Sequence, residues 1–110
     1  MLSGDDCSAL ASVYLGAKGV ISVVSNLEPG KTAQMMNAAQ KGDIAAANRL
    51  HFQLFNLMGA MFCYPSPAPA KKGLHLMGKI ASCELRLPMT EMDAPSLDRL
   101  QRDMRELGLL

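Results

Sequence analysis

The stretch Gly16-Ala17-Lys18-Gly19-Val20-Ile21-Ser22-Val23-Val24-Ser25-Asn26 decides the fold. Val20 to Val24 is apolar and β-branched, broken only by Ser22, with Gly19 before it and Ser25-Asn26 after it. A half-exposed strand alternates polar and apolar residues, so this run predicts a strand buried on both faces. Parallel strands are buried in this way when helices cover both sides of their sheet. The flanks supply them: Cys7 to Leu15 upstream and Thr32 to Gln40 downstream are predicted helices. The predicted fold class is α/β, two strands alternating with helices, followed after Gly42 by a helical layer.

Outward from that stretch, Met1-Leu2-Ser3 looks like the last residues of a strand. Ser3-Gly-Asp-Asp6 turns into a helix, with Ser or Asp as N-cap and carboxylates at its positive end. Ala9, Leu10, Val13 and Tyr14 form its apolar side, and Gly16 ends it in a left-handed conformation. Leu27-Glu-Pro-Gly30 starts the next helix, with Pro29 in its first turn and Ala33, Met36 and Ala39 on one side. Gly42 closes it, and Asp43 caps a longer helix. There Ile44, Ala47, Leu50, Leu54, Leu57, Met58 and Met61 repeat with helical period to about Phe62.

Pro65, Pro67 and Pro69 then alternate, removing backbone donors and disfavouring helix for the residues before them, which predicts a stiff connector. A short helix is expected over residues 70–77, stopped by Gly78. Cys83 to Thr90 is read as an extended connector ending near Pro88. A last helix starts near Pro95, with Leu97, Leu100, Met104 and Leu107 on one side and Gly108 as its stop. Two regions follow: residues 1–42, the end of the α/β unit, and residues 43–110, all helical.

The chain has 110 residues, room for one ordinary domain, and its hydrophobic fraction of 49% is that of a globular protein. A formal charge of +1 gives no electrostatic reason to expect nucleic acid or an anionic membrane as partner. No apolar run is long enough to span a bilayer, and the N-terminus lacks the pattern of a signal peptide, so a cytoplasmic protein is expected. Cys7, Cys63 and Cys83 have neither zinc-site nor redox-motif spacing and are expected as free thiols. His51 and His75 are isolated on helix flanks. No cofactor and no metal is expected.

Two parallel strands make a poor sheet. Left uncovered, Val20, Ile21, Val23 and Val24 would each forfeit about 1.5–3 kcal/mol of burial. Together that is comparable to a whole domain's stability, about 5–15 kcal/mol. Further strands, from upstream sequence or another chain, are expected to complete the sheet.

Ser3-Gly-Asp-Asp6, Gly19-Val-Ile-Ser-Val23, Asn26, Pro67-Ala-Pro-Ala-Lys71, Leu85-Arg-Leu-Pro88 and the ending Glu106-Leu-Gly-Leu-Leu110 stand in an order that resembles one family. It is the dihydrodipicolinate synthase family (4-hydroxy-tetrahydrodipicolinate synthase), within the pyruvate-dependent aldolase superfamily, and the resemblance is to its C-terminal portion. Leu85-Arg-Leu-Pro88 points to this synthase more than to its relative, N-acetylneuraminate lyase. Two departures are visible: Ser66-Pro-Ala-Pro-Ala-Lys71 stands where the family usually has Asn-Pro-Ile-Pro-Val-Lys, and Ser25 where it often has Ala. Both concern side-chain size near the connector.

The resemblance implies that Met1-Leu2-Ser3 ends the seventh strand of a (β/α)8 barrel and that Gly19 to Val24 is the eighth. It implies a condensation of pyruvate, held as a Schiff base on a lysine, with aspartate semialdehyde, on the route to lysine and diaminopimelate. It also implies a homo-oligomer. The Schiff-base lysine and the proton-shuttling tyrosine would both precede Met1, so no catalytic residue is expected within the chain. Lys18 precedes its strand and falls at the barrel's bottom. Lys31, Lys41, Lys71, Lys72 and Lys79 read as solvated surface lysines.

Active sites of such barrels form at the C-terminal ends of the strands, where Ser3 to Asp6 and Ile21 to Asn26 fall. By resemblance, the Ile21 main-chain carbonyl faces bound pyruvate and Gly4 lines the pocket. An ordinary tight turn is the competing reading for Gly4, and plain barrel core for the Ile21 side chain. Asp5 and Asp6 could do acid/base work or cap the helix. Ser22 and Asn26 lack triad partners, so hydrolase chemistry is unsupported. A different class of function, a non-catalytic helical module for self-association, would rest on the stripes Ile44–Met61 and Leu97–Leu107.

Overall fold

The computed structural model describes residues 1–110. Its elements are the helices α1 (Asp6–Tyr14), α2 (Pro29–Gln40), α3 (Ile44–Ala60), α4 (Ala68–Leu76) and α5 (Ala94–Glu106), with a 3-10 turn at Val24–Asn26. By compactness the chain divides into Met1–Met58 and Gly59–Leu110. This is a division of contacts. The boundary at Gly42-Asp43 drawn from the sequence separates an expected sheet-forming region from a helical one, which is a different criterion.

In the first unit, Asp5 is the N-cap of α1: its Oδ2 accepts the Ser8 N–H at 2.8 Å and the Ser8 hydroxyl at 2.7 Å. The helix buries Asp6, Ala9 and Leu10. Val13 packs beside the small core formed by Leu10, Ala39 and Ala47, while Tyr14 is exposed and donates its hydroxyl to Asn48 at 3.2 Å. Gly16 adopts φ 102°, a left-handed stop that a Cβ would disfavour. In α2, Thr32, Met35, Met36 and Ala39 face inward. Met36 and Ala39 lie where the periodicity placed them, and Ala33 faces solvent. Glu28 caps this helix through the Lys31 N–H at 3.3 Å.

The predicted strands are not formed in this chain, which corrects the α/β reading at its central element. Pairing is limited to one parallel bridge between Ser3 and Val20. Ser3 N–H donates to Gly19 O at 2.9 Å, and Ile21 N–H donates to Ser3 O at 2.8 Å. A regular parallel ladder would then bring Gly19 N–H to Met1 O, but Lys18 N–H donates there instead, at 2.9 Å. The register is thus one residue out of step before Gly19. Beyond Ile21 the Asp6 carboxylate takes the next backbone donors, and Val23 turns helical with φ −91° and ψ −43°. Burial on both faces is not seen either: Val24 is buried, but Ile21 is 71% exposed.

α3 follows its sequence stripe closely. Ala47, Leu54, Leu57, Met58 and Met61 are fully buried, whereas Ile44, at the first turn, is exposed. The helix stops at Ala60, slightly short of Phe62.

In the second unit, α4 starts inside the predicted proline connector. Pro67 is its N-cap residue and Pro69 lies in its first turn, where the missing N–H would have no intrahelical acceptor. The segment from Lys79 to Met92 has no helix or strand and is tied down by side chains. Lys71 Nζ donates to the Glu84 carbonyl, and the hydroxyls of Tyr64 and Thr90 lie 2.8 Å apart. In α5, capped by Asp93 through the Ser96 N–H at 2.9 Å, Leu100 and Met104 are fully buried, and Leu97 and Leu107 half-buried. Asp103 is also buried there, 3.7 Å from Arg99 Nε and 3.3 Å from Arg102 Nε. A Cβ on Gly59 would come within 2.9 Å of Arg99 Nη2, so a side chain there would displace that guanidinium.

Candidate functional site

The two segments singled out from the sequence meet. Ser3 sits opposite Val20, and its carbonyl holds the Ile21 N–H. Gly4 lies between this bridge and the Asp5 cap. A Cβ built on Gly4 would meet nothing within 4 Å, so its open side borders free space rather than packed atoms. Its φ lies outside the left-handed region, so a turn demanding glycine is not the reason for it. The Ile21 side chain is exposed in this chain, not packed as barrel core.

Asp6 organises the rest of the site. It is 3% exposed, and its Oδ2 accepts the N–H groups of both Val23 and Val24 at 2.9 Å. Charge-assisted bonds from two successive amides fix the chain just after Ile21 and start the 3-10 turn. The turn is completed locally. Ser22 Oγ accepts the Ser25 N–H at 3.0 Å, Ser25 Oγ donates to Ser22 O at 3.3 Å, and Asn26 Nδ2 donates to Val23 O at 2.9 Å. Asp5 is the cap, and Asp6 is a clamp. Periodicity could have revealed the clamp, because Asp6 precedes Ala9, Leu10 and Val13 at helical spacing and so lies on the buried face.

The other Asp6 oxygen, Oδ1, is buried without a hydrogen-bond partner. A buried carboxylate oxygen without a donor is costly, and native proteins rarely leave one.

The remaining candidates lie elsewhere. Lys18 is exposed, and its carbonyl accepts from Gln40 Nε2 at 2.7 Å. Lys31, Lys71 and Lys72 are half-buried, each with a partner, which corrects their reading as solvated lysines. His51 stands inside α3, with Phe52 and Phe55 ring centroids at 5.3 and 5.5 Å. Burial pushes its imidazole below 6.5, and its Nδ1 has no partner. No group of three or more His, Cys, Asp or Glu side chains is placed to hold a metal ion, and no helix is long and apolar enough to cross a membrane.

A carboxylate thus clamps the loop that follows a parallel bridge, and known sequences give the chain a family. Residues 1–107 match the sequence model of the Dihydrodipicolinate synthetase family, and the chain belongs to that family. Over all 110 residues it is 46% identical to the 4-hydroxy-tetrahydrodipicolinate synthase of Desulfotalea psychrophila, covering 37% of that protein. It is 44% identical to the enzyme of the same name from Methanocaldococcus jannaschii, covering 38% of it. Among solved structures it superposes on the dihydrodipicolinate synthase of Thermotoga maritima with a TM-score of 0.95 at 35% identity, over 99% of this chain and 37% of that one. The chain thus spans little more than a third of the relatives it matches.

Proposed function

We propose that this chain is the C-terminal part of a 4-hydroxy-tetrahydrodipicolinate synthase, a lyase that condenses pyruvate, held as a lysine Schiff base, with aspartate semialdehyde. In this reading residues 1–42 are the last two strand–helix units of a (β/α)8 barrel, and residues 43–110 its C-terminal helical domain. The carrying observation is the family match over residues 1–107 in a chain little more than a third the length of its relatives. The state of the barrel edge supports it. Met1 and Ile21 are 81% and 71% exposed, and the buried Asp6 Oδ1 lacks a donor. Neighbouring strands would cover the first two and could supply the third.

Ile21 and Gly4 are the proposed pyruvate contacts. The Ser3 carbonyl holds the Ile21 amide, and the Asp6 clamp fixes the two residues following Ser22. The Ile21 carbonyl is therefore presented by backbone fixed on both sides. Gly4 leaves room for a ligand to approach the main chain. The reacting amine and the proton shuttle lie outside these residues, so the chain by itself forms no Schiff base.

Borohydride trapping with labelled pyruvate tests both parts. The chain alone is expected to take up no covalent label. Co-expressed with the remaining part of a relative's chain, it should assemble and restore labelling, on the added part. Label on the isolated chain would overturn the inactivity, and failure to assemble would overturn the barrel assignment.

A second reading, self-association through the helical region, draws on α3. Phe52 and Phe55 are exposed there, 73% and 46%, alongside a fully buried opposite face. It also fits a homo-oligomeric synthase. Light scattering on wild type and a Phe52→Ser, Phe55→Ser double variant checks it: a monomer in both cases removes this reading.

A further inference from the structure

Of the three thiols, Cys83 has a setting unlike the others. Cys7 and Cys63 are pushed up in pKa chiefly by burial, and Cys63 donates its S–H to the Ser96 carbonyl at 3.6 Å. Cys83 instead accepts from Lys72 Nζ at 3.9 Å. Lys72 lies in α4 and Cys83 in the irregular segment after it. Between them is a cavity of about 70 Å³ lined by Ala68, Leu85, Glu91, Met92 and Leu97 together with the two partners. That is room for more than one water-sized molecule. A half-buried thiol facing an amine across such a space has both a route for a small oxidant and a nucleophile waiting at the sulfur.

We propose that Lys72 and Cys83 form a peroxide-responsive pair that closes into a covalent Nζ–Sγ sulfenamide. In the first step the Cys83 sulfur attacks one oxygen of hydrogen peroxide. The S–O bond forms, the O–O bond breaks and water leaves, so sulfur is oxidised by two electrons and the peroxide is reduced. In the second step the Lys72 amine, its ammonium proton given to solvent, attacks that sulfur. The N–S bond forms, the S–O bond breaks, and the hydroxyl leaves with an amine proton as water. One thiol, one amine and one peroxide become one sulfenamide and two waters. No thiol stands where Lys72 stands, and the flexible lysine stem lets its nitrogen close the 3.9 Å gap. The product ties α4 to the segment between α4 and α5, and added thiol reverses it by attack at sulfur.

The test treats the 110-residue chain with hydrogen peroxide, digests it and reads the peptides by mass spectrometry. The expected product joins the Lys72 and Cys83 peptides with loss of two hydrogens, and dithiothreitol reverts it. It is absent in Cys83→Ser and when the chain is oxidised in urea. Lys72→Arg keeps the positive charge but should lose the cross-link, and a dimedone adduct on Cys83 should rise in its place. Cys7 and Cys63 serve as internal controls and should react more slowly. Cys83 oxidised without cross-linking in the wild type, a Cys83 disulfide as main product, or equal cross-linking in urea would each overturn the proposal. Circular dichroism of both variants separates loss of the bond from loss of the fold.

Discussion

The edge held by the single Ser3–Val20 bridge and the helical region around α5 solve the same problem with opposite means. At the edge, one bridge, a slipped register and a single carboxylate hold the chain, and apolar side chains such as Ile21 face outward. Around α5, Leu100 and Met104 are fully buried, the cap is satisfied by Ser96 and buried Asp103 faces two arginines. A helix closes its backbone hydrogen bonds within itself, so it needs neighbours only for its apolar face. A parallel strand needs neighbours for its backbone as well. The contrast therefore separates residues whose backbone partners lie within their own helix from residues held by one bridge and one side chain.

The largest expected effect sits on the helical side. Leu100→Ala should cost about 2–5 kcal/mol, whereas Ile21→Ser should stay within about 0.5 kcal/mol, both read from urea unfolding. Equal losses would show that Ile21 is covered, by self-association or otherwise, and would break the comparison. Next comes the clamp. Asp6→Ala removes the charged acceptor of one buried and one part-buried amide and should cost about 1.5–3 kcal/mol, with faster hydrogen exchange at Val23 and Val24. Asp6→Asn, which keeps an acceptor oxygen, should lose less. If exchange at those amides is unchanged in Asp6→Ala, the clamp is not what orders the turn.

A smaller effect is expected from pH. Burial holds the folded His51 below 6.5, so its stabilising contribution is full above 6.5 and is lost as pH falls through the lowered folded value. An NMR titration should place the His51 midpoint below that of a model imidazole. His51→Phe should flatten the stability profile over that interval, and an unshifted midpoint would refute the assignment. The smallest effect belongs to Asp93. The Ser96 side-chain and backbone hydrogen bonds hold its carboxyl below 3.8. Its contribution to α5 is present above 3.8 and disappears as the pH drops through the lower folded value. Asp93→Asn should remove that acid-range slope and leave neutral-pH unfolding nearly unchanged.

Much of this organisation was legible in the residues themselves. The left-handed glycines of the structure are Gly16, Gly42, Gly78 and Gly108, the four that punctuate the hydrophobic periodicity. The α3 stripe and the burial of Leu100 and Met104 follow from period alone, because the apolar face of a helix is set by 3.6 residues per turn. The start of α4 was displaced because Pro67 and Pro69 read as helix breakers, although the first turn of a helix tolerates them.

The sequence by itself singled out the two segments proposed for the site, Ser3 to Asp6 and Ile21 to Asn26, which the structure joins through one bridge. It also determined the helix order and stops, since these depend on local spacing. Only the tertiary structure decided that Val20 to Val24 pairs through a single bridge, that Asp6 rather than a neighbouring strand takes the Val23 and Val24 amides, and that Lys72 meets Cys83. Those contacts join residues 11 to 18 positions apart, and a hydrogen bond across such a separation depends on where the intervening chain returns. No propensity or period encodes that return.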